Sequence, residues 1–150
     1  MAGVEFKFAN EIIPERDENG SVRQYLPQSQ YSKATTSKVH KHGAGPFCRF
    51  SIKTLEHAAA AVYVITVDSH PQYVGETVDA HQRFGPTGYG LISPRNCYKG
   101  GQSTNCKINN FIYAAAVAGR EVSLWVHYTT RHKLVEAQIR AATRLPWNSI

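Results

Sequence analysis

A run of β-branched and small apolar residues from Ala60 to Val67 stops at Asp68-Ser69-His70-Pro71 and resumes as Gln72-Tyr73-Val74-Gly75. β-Branched side chains fit a pleated strand, while Asp, Ser and Pro each favour turn geometry, so the pattern predicts a β-hairpin. The rest of the chain has to be arranged around that hairpin.

On its N-terminal side, the first 30 residues read as an extended arm. Val4, Phe6 and Phe8 alternate as a short strand, and Pro14 and Asn19-Gly20 mark turns. Gln28 to Pro46 is polar, basic and rich in Ser, Thr and Gly, which predicts a long loop that stays mobile until something binds it. Phe47 to Ile52 alternates and predicts another strand. After the hairpin, Val78 to Phe84 predicts a short helix stopped by Gly85-Pro86, and Gly88 to Ser103 a second long loop. An amphipathic helix is expected from about Thr104 through Ile108, Phe111, Ile112, Ala115 and Ala118 to Gly119. Glu121 to Tyr128 alternates as a strand, and a last helix covers about Arg131 to Arg144, ended by Pro146. The expected fold is α/β of the α+β kind, one domain with a small, mainly antiparallel sheet flanked by helices. Residues 60–150 would form its core, with an arm and basic loop at 1–59 integrated into it. A chain of 150 residues can bury one such core without disulfide or metal staples.

Charge placement points to a partner. No acid lies between Glu18 and Glu56, where Arg23, Lys33, Lys38, Lys41, Arg49 and Lys53 fall. A second acid-free window, Ala80 to Arg120, holds Arg83, Arg95, Lys99, Lys107 and Arg120. Two concentrated basic windows are the footprint of a polyanion binder, although a solvated basic surface would look similar. No apolar stretch reaches the roughly 18 residues needed to span a membrane, and the N-terminus lacks a secretory pattern. Three cysteines, an odd number, suit reduced thiols and a cytoplasmic protein. A zinc site built from Cys48, Cys97, Cys106 and His40 or His42 lacks the short ligand spacing of common zinc motifs, so buried thiols are expected instead.

Ala61-Val62-Tyr63, then Gln72-Tyr73-Val74-Gly75-Glu76-Thr77, with Arg83 in the following helix, resembles the GIY-YIG nuclease signature. Glu136 in a later helix and Asn148 in Pro146-Trp147-Asn148 fall where that family has its acidic and terminal polar residues. Ala61 stands where the family usually has Gly. Thr87 stands where a His or Tyr often follows the Arg, leaving Tyr89, slightly beyond, as an auxiliary candidate.

The resemblance implies hydrolysis of phosphodiester bonds in double-stranded DNA with one Mg²⁺ (or Mn²⁺) ion, in a prokaryotic or phage setting. A compact chain with its own basic loops is similar to the restriction-endonuclease branch of the family; a repair or mobile-element nuclease, or a non-catalytic binder of the same fold, are the rivals. The residue types suit the chemistry, which needs a divalent ion, a deprotonated water and a cation on the non-bridging oxygens. Glu136, the only acid after Glu121, is the expected metal ligand, though a surface pair with Arg140 or Lys133 is the plainer reading of the same residue. Arg83 would clamp the phosphate. Tyr63 would take the water's proton and Tyr73 would orient water or phosphate. A free tyrosine has a pKa near ~10, so Tyr63 needs its phenolate favoured by Arg83 or the metal. Asn148 would anchor the site through hydrogen bonds. For DNA binding, Lys38 and Lys41 are expected to grip phosphates, and Arg95, Lys99, Asn105, Lys107 and Asn109 to line the reading surface. The residues leave homo-oligomer formation open.

Overall fold

The computed structural model describes residues 1–31 and 37–149 of the chain. Four strands form one antiparallel sheet: β1 (Lys7–Glu11), β2 (Ala61–Val67), β3 (His70–Thr77) and β4 (Val122–Tyr128). Their spatial order is β1-β4-β2-β3, which leaves β1 and β3 as edges. Among the described residues three α-helices accompany them: α1 (Ala80–Arg83), α2 (Ser103–Val117) and α3 (His132–Ala142). This is an α+β fold with an antiparallel sheet.

The chain divides into two compact units, each discontinuous in sequence. The first contains residues 1–12, 52–83 and 120–150, and the second residues 13–51 and 84–119. The sheet, α1 and α3 belong to the first. β2 is buried along its whole length, paired with β3 on one side and β4 on the other. The hairpin turn is made by Asp68 and Ser69, both at positive φ (48° and 66°), the conformation whose twist matches that of the flanking strands. Asp68 is held there from outside. It accepts from Arg120 Nε at 2.9 Å and from the Glu121 backbone N–H at 2.9 Å. These bonds, the guanidinium first, hold its carboxyl below the usual aspartate range.

One sheet face carries Val62, Val64 and Val74, and α3 covers it with Ile139; Leu145 joins the same cluster. α3 is amphipathic. Burial of this stripe, rather than helix propensity, is what stabilises an element of 11 residues.

Four local expectations change. β1 begins at Lys7, later than the Val4–Phe8 alternation suggests; Val4 and Phe6 instead pack against the α3-covered core. α1 starts at Ala80, because Thr77 and Asp79 are occupied in capping it: Asp79 N–H donates to Thr77 Oγ1 and Gln82 N–H to Asp79 Oδ1, both at 3.1 Å. Phe47–Ile52 is not a strand. Phe47 makes an isolated bridge to Tyr25, and the Phe50 N–H donates to the Gly90 carbonyl. From Cys48 to Ile52 burial alternates without a ladder, while Phe47 beside it is also buried. The loop expected at 28–46 opens with a 3₁₀ turn at Pro27–Gln30, and its 32–36 portion, with Lys33, lies outside the described residues.

The second unit is organised around α2. Phe47, Ile92, Cys97, Tyr98 and Cys106 form its core. Asn109 is fully buried and ties α2 to two remote segments: it accepts from the Cys48 N–H (2.9 Å) and donates to the carbonyls of Cys48 (2.9 Å) and Tyr89 (2.7 Å).

Candidate active site and candidate nucleic-acid surface

The hairpin register decides where the tyrosines fall. Tyr63 is opposite Gly75 and Ile65 opposite Tyr73, so Tyr63 and Tyr73 are diagonal neighbours on the sheet face opposite α3. Their ring centroids are 6.2 Å apart, tilted by 40°. Tyr63 is almost fully buried (1 % exposed), Tyr73 slightly less so (8 %). The Tyr63 phenol lies across the backbone of Gly75: a Cβ added there would overlap its hydroxyl oxygen and Cζ. Close approach, not an unusual φ, is therefore the reason for glycine at this position.

Asn148 reaches the outer edge of β3 between the same residues. Its Oδ1 accepts from the Val74 N–H and its Nδ2 donates to the Val74 carbonyl, both at 2.9 Å. The amide thus stands in for a missing neighbour strand. The 3₁₀ turn Pro146–Asn148, entered through buried Leu145 and anchored by Trp147, holds it in position.

Glu136 lies on α3, its side chain 16 % exposed, with one oxygen 3.3 Å from Arg140 Nη1 one turn later. This is the i,i+4 pair expected of a helix surface, and it engages a single carboxylate oxygen. Arg83 ends α1 and is half-buried. Tyr89 belongs to the other unit, where it is fully buried with its ring edge-on to Phe84 at 5.3 Å.

A pairing not foreseen from the sequence joins β3 to α3. His132 Nδ1 and Glu76 Oε2 are 2.5 Å apart, on the face opposite the tyrosines. Glu76 follows Gly75, and His132 lies one turn before Glu136, so this pair ties the start of the Glu136 helix to the tyrosine strand.

In the second unit the two acid-free windows meet. Val39 bridges Tyr98, the Lys99 N–H donates to the Lys38 carbonyl at 2.8 Å, and the His40 N–H to the Cys97 carbonyl at 3.1 Å. This antiparallel pairing sets Lys38 directly opposite Lys99. Lys38, Lys41, Arg95 and Lys99 are exposed, and Lys107 is half-buried. His42 sits among them with its pKa lowered, by desolvation first and then by Lys41, Lys107 and His40.

Two residues expected on this surface are not there. Asn109 is spent on the buried network described above. Asn105 is 6 % exposed, and its amide donates to Gln102 Oε1 at 2.7 Å. Polar character suggests solvent, but both asparagines lie on the buried side of α2, where a side-chain amide satisfies groups that the helix cannot. All three cysteines are buried free thiols; burial pushes Cys48 up to about 12. Among the described residues no three His, Cys, Asp or Glu side chains converge as metal ligands.

No family model matches the chain, and no curated protein does. Among solved structures, that of a mutant of bacteriophage T4 EndoII superposes with a TM-score of 0.57, covering 95 % of this chain and 91 % of that one at 15 % sequence identity. The two chains share a fold. No helix among the described residues is long and apolar enough to cross a membrane.

Proposed function

We propose that the chain is a metal-dependent endonuclease of the GIY-YIG type that hydrolyses phosphodiester bonds in duplex DNA. The observation that carries this reading is the hairpin constellation, in which Tyr63 and Tyr73 share one face, Tyr63 lies across Gly75, and Asn148 closes the β3 edge at Val74, between Tyr73 and Gly75. A fold shared with bacteriophage EndoII supports it, as do the paired basic windows.

Each residue has a part in this reading. Tyr63 accepts a proton from the attacking water, Tyr73 orients that water or the phosphate, and Arg83 binds the non-bridging oxygens with its planar fork. Glu136, on α3 across the sheet from the two tyrosines, would hold a Mg²⁺ or Mn²⁺ ion, which when bound would supply charge stabilisation at the phosphate and the leaving oxygen. A lone carboxylate suits an ion that keeps most of its waters, and Arg140 engages only one of its oxygens. Lys38, Lys41, Lys99 and Lys107 contact phosphates, while Arg95 reads base edges. Because one small chain carries both surfaces, the restriction-enzyme branch is the favoured subtype, acting inside a prokaryotic or phage-infected cell.

Plasmid and genomic DNA incubated with the protein in Mg²⁺, Mn²⁺ or EDTA test this. Discrete fragments that require the ion are expected, and Glu136→Gln should abolish them while duplex affinity stays within about twofold, because phosphate contacts by the basic residues survive. Binding without cleavage under any ion would replace the nuclease with a DNA-binding protein of this fold. Cutting by Glu136→Gln at the wild-type rate would remove Glu136 from the metal site.

A further inference from the structure

At the C-terminal end of α3 lies a polar-walled cavity of about 420 Å³, lined by Arg140, Thr143, Arg144, Leu145, Asn148 and Ser149. Two of these residues also belong to the site described above. Arg140 touches Glu136, and Asn148 holds the β3 backbone beside Tyr73. We propose that this cavity is a subsite for a second backbone phosphate of the DNA strand, flanking the one that is cut. The inference rests on the nuclease reading and extends it by a site that neither the motif nor the basic windows predict.

The chemistry of the walls favours an anion. Two arginines line one cavity, and a guanidinium offers a fork of N–H donors matched to phosphate oxygens. Arg140 uses one nitrogen on Glu136 at a long 3.3 Å, so most of its fork is uncommitted to that pair. The Thr143 hydroxyl adds a neutral donor. Ser149 contributes less, because its hydroxyl already donates to the Leu145 carbonyl at 3.2 Å. Glu136 is the acid in contact with this group, and the two arginines outnumber it.

The helix end works against an anion, since the last carbonyls of α3 carry partial negative charge. That same polarity offers a rival explanation: arginines in the last turn of a helix often do no more than cap it. Two features argue against capping alone. Thr143, the residue that ends the helix, directs its N–H to the Ile139 carbonyl at 2.9 Å, so that carbonyl already has a backbone partner. Arg144 lies beyond the helix, exposed, and lines the same cavity as Arg140.

The position also suits a strand of DNA crossing the β3 edge. A phosphate in the cavity would draw Arg140 away from Glu136 and leave both carboxylate oxygens for the ion. Occupancy of the flanking subsite and assembly of the metal site would then reinforce each other.

The test uses the full chain in Ca²⁺, to bind without cutting, and duplexes each carrying one uncharged methylphosphonate at successive positions along one strand. Arg144→Ala is expected to weaken binding about threefold to tenfold at moderate salt and to lower the salt slope by about 0.9, one phosphate contact. It should also become insensitive to a single methylphosphonate position that weakens the wild type, one or two phosphates from the cut. Arg144→Lys should recover part of the affinity, since charge remains and the fork is lost. If Arg144→Ala lowers the melting temperature but responds to every methylphosphonate as the wild type does, the arginines only cap the helix and the subsite is refuted. A wild type that cuts DNA with unaltered affinity in Arg144→Ala leaves the nuclease reading standing and removes this one. A wild type that binds no duplex removes both.

Discussion

Asn148 makes both hydrogen bonds that a neighbouring strand would make to Val74, accepting from its N–H and donating to its carbonyl at 2.9 Å each. A residue near the far end of the chain therefore sets the edge of the strand that carries Tyr73 and Gly75. Asn148→Ala should destabilise the protein by about 1–3 kcal/mol, the cost of two part-buried backbone groups losing their partners. Asn148→Asp keeps the acceptor but sets a carboxylate against the Val74 carbonyl, so it should be no better. Thermal melts of both variants check this, and shifts equivalent to less than about 0.5 kcal/mol would reduce Asn148 to an ordinary surface residue.

Tyr63 and Gly75 form the second relationship that should be sensitive to one atom. Gly75→Ala puts a methyl group where the Tyr63 phenol lies, and overpacking of this kind costs about 1–3 kcal/mol. Tyr63→Phe keeps the ring and its packing. It should leave the melting temperature within a few degrees yet slow single-turnover cleavage by more than about a hundredfold, the upper part of the range for a proton-transfer group. Tyr73→Phe should cause a smaller loss. The opposite order in single-turnover rates would exchange the two roles, consistent with the greater exposure of Tyr73.

Asp68 gives a prediction in pH. Its folded pKa lies below the unfolded value of about 3.9, through the Arg120 guanidinium first and the Glu121 N–H second. A depressed carboxyl contributes stability that is fully present above the unfolded pKa and lost as pH falls through the folded one. Asp68→Asn keeps a residue tolerant of positive φ while removing the charge. The variant should therefore melt lower than the wild type at pH 6, and the gap should narrow as the pH falls below the unfolded value of about 3.9. A gap unchanged as the pH falls would mean that the turn, not the ion pair, accounts for the effect.

Periodicity makes some of this fold legible in advance. β4 repeats at 2 residues and α2 and α3 at about 3.6, and that repeat records which side is buried; β2, buried along its whole length, is legible instead as a β-branched run that stops at turn residues. Pairings between remote residues leave no such record. His132 and Glu76 are 56 positions apart, and neither position is unusual for its type. Asn109 misleads in the other direction: an amide usually argues for solvent, but this one serves backbone groups of Cys48 and Tyr89 that no regular ladder reaches. Phe47–Ile52 reads like a strand because Cys48 to Ile52 alternate in burial, while its backbone finds scattered partners. Tyr63, Tyr73 and Gly75 are legible together because their spacing follows the hairpin; the Arg140–Arg144 cavity is not, since it exists only once α3 ends beside Asn148.

The pairing of Lys38 with Lys99 leads to the last prediction. Like charges directly opposite on paired strands repel and destabilise. Among the described residues no acid forms an ion pair with either lysine, and Lys41 and Lys107 add to the same field around His42. Such an arrangement is costly in the free protein and is relieved by a polyanion, whose phosphates neutralise both lysines while shedding counterions. Lys38→Ala or Lys99→Ala should thus have two opposed effects. In the absence of DNA the melting temperature should stay level or rise slightly, more so at low salt, where screening is weakest. Affinity for duplex DNA should fall for every sequence, with the salt slope reduced by about 0.9 for each phosphate left without its lysine. Arg95→Ala should behave differently. Arg95 is exposed on the turn Pro94–Cys97, which Ser93 and Asn96 fix through a reciprocal capping box, so its guanidinium projects from a rigid base. Its loss should remove about 1–3 kcal/mol of discrimination at one base pair and leave binding to mismatched duplexes little changed. Affinities measured against salt for a preferred site and its single-base variants separate the two cases. Equal losses on both duplexes for Arg95→Ala would make it another phosphate-binding residue. A lower melting temperature for Lys38→Ala without DNA would mean that the lysine stabilises the fold, and the repulsion would not be what this surface keeps in reserve for DNA.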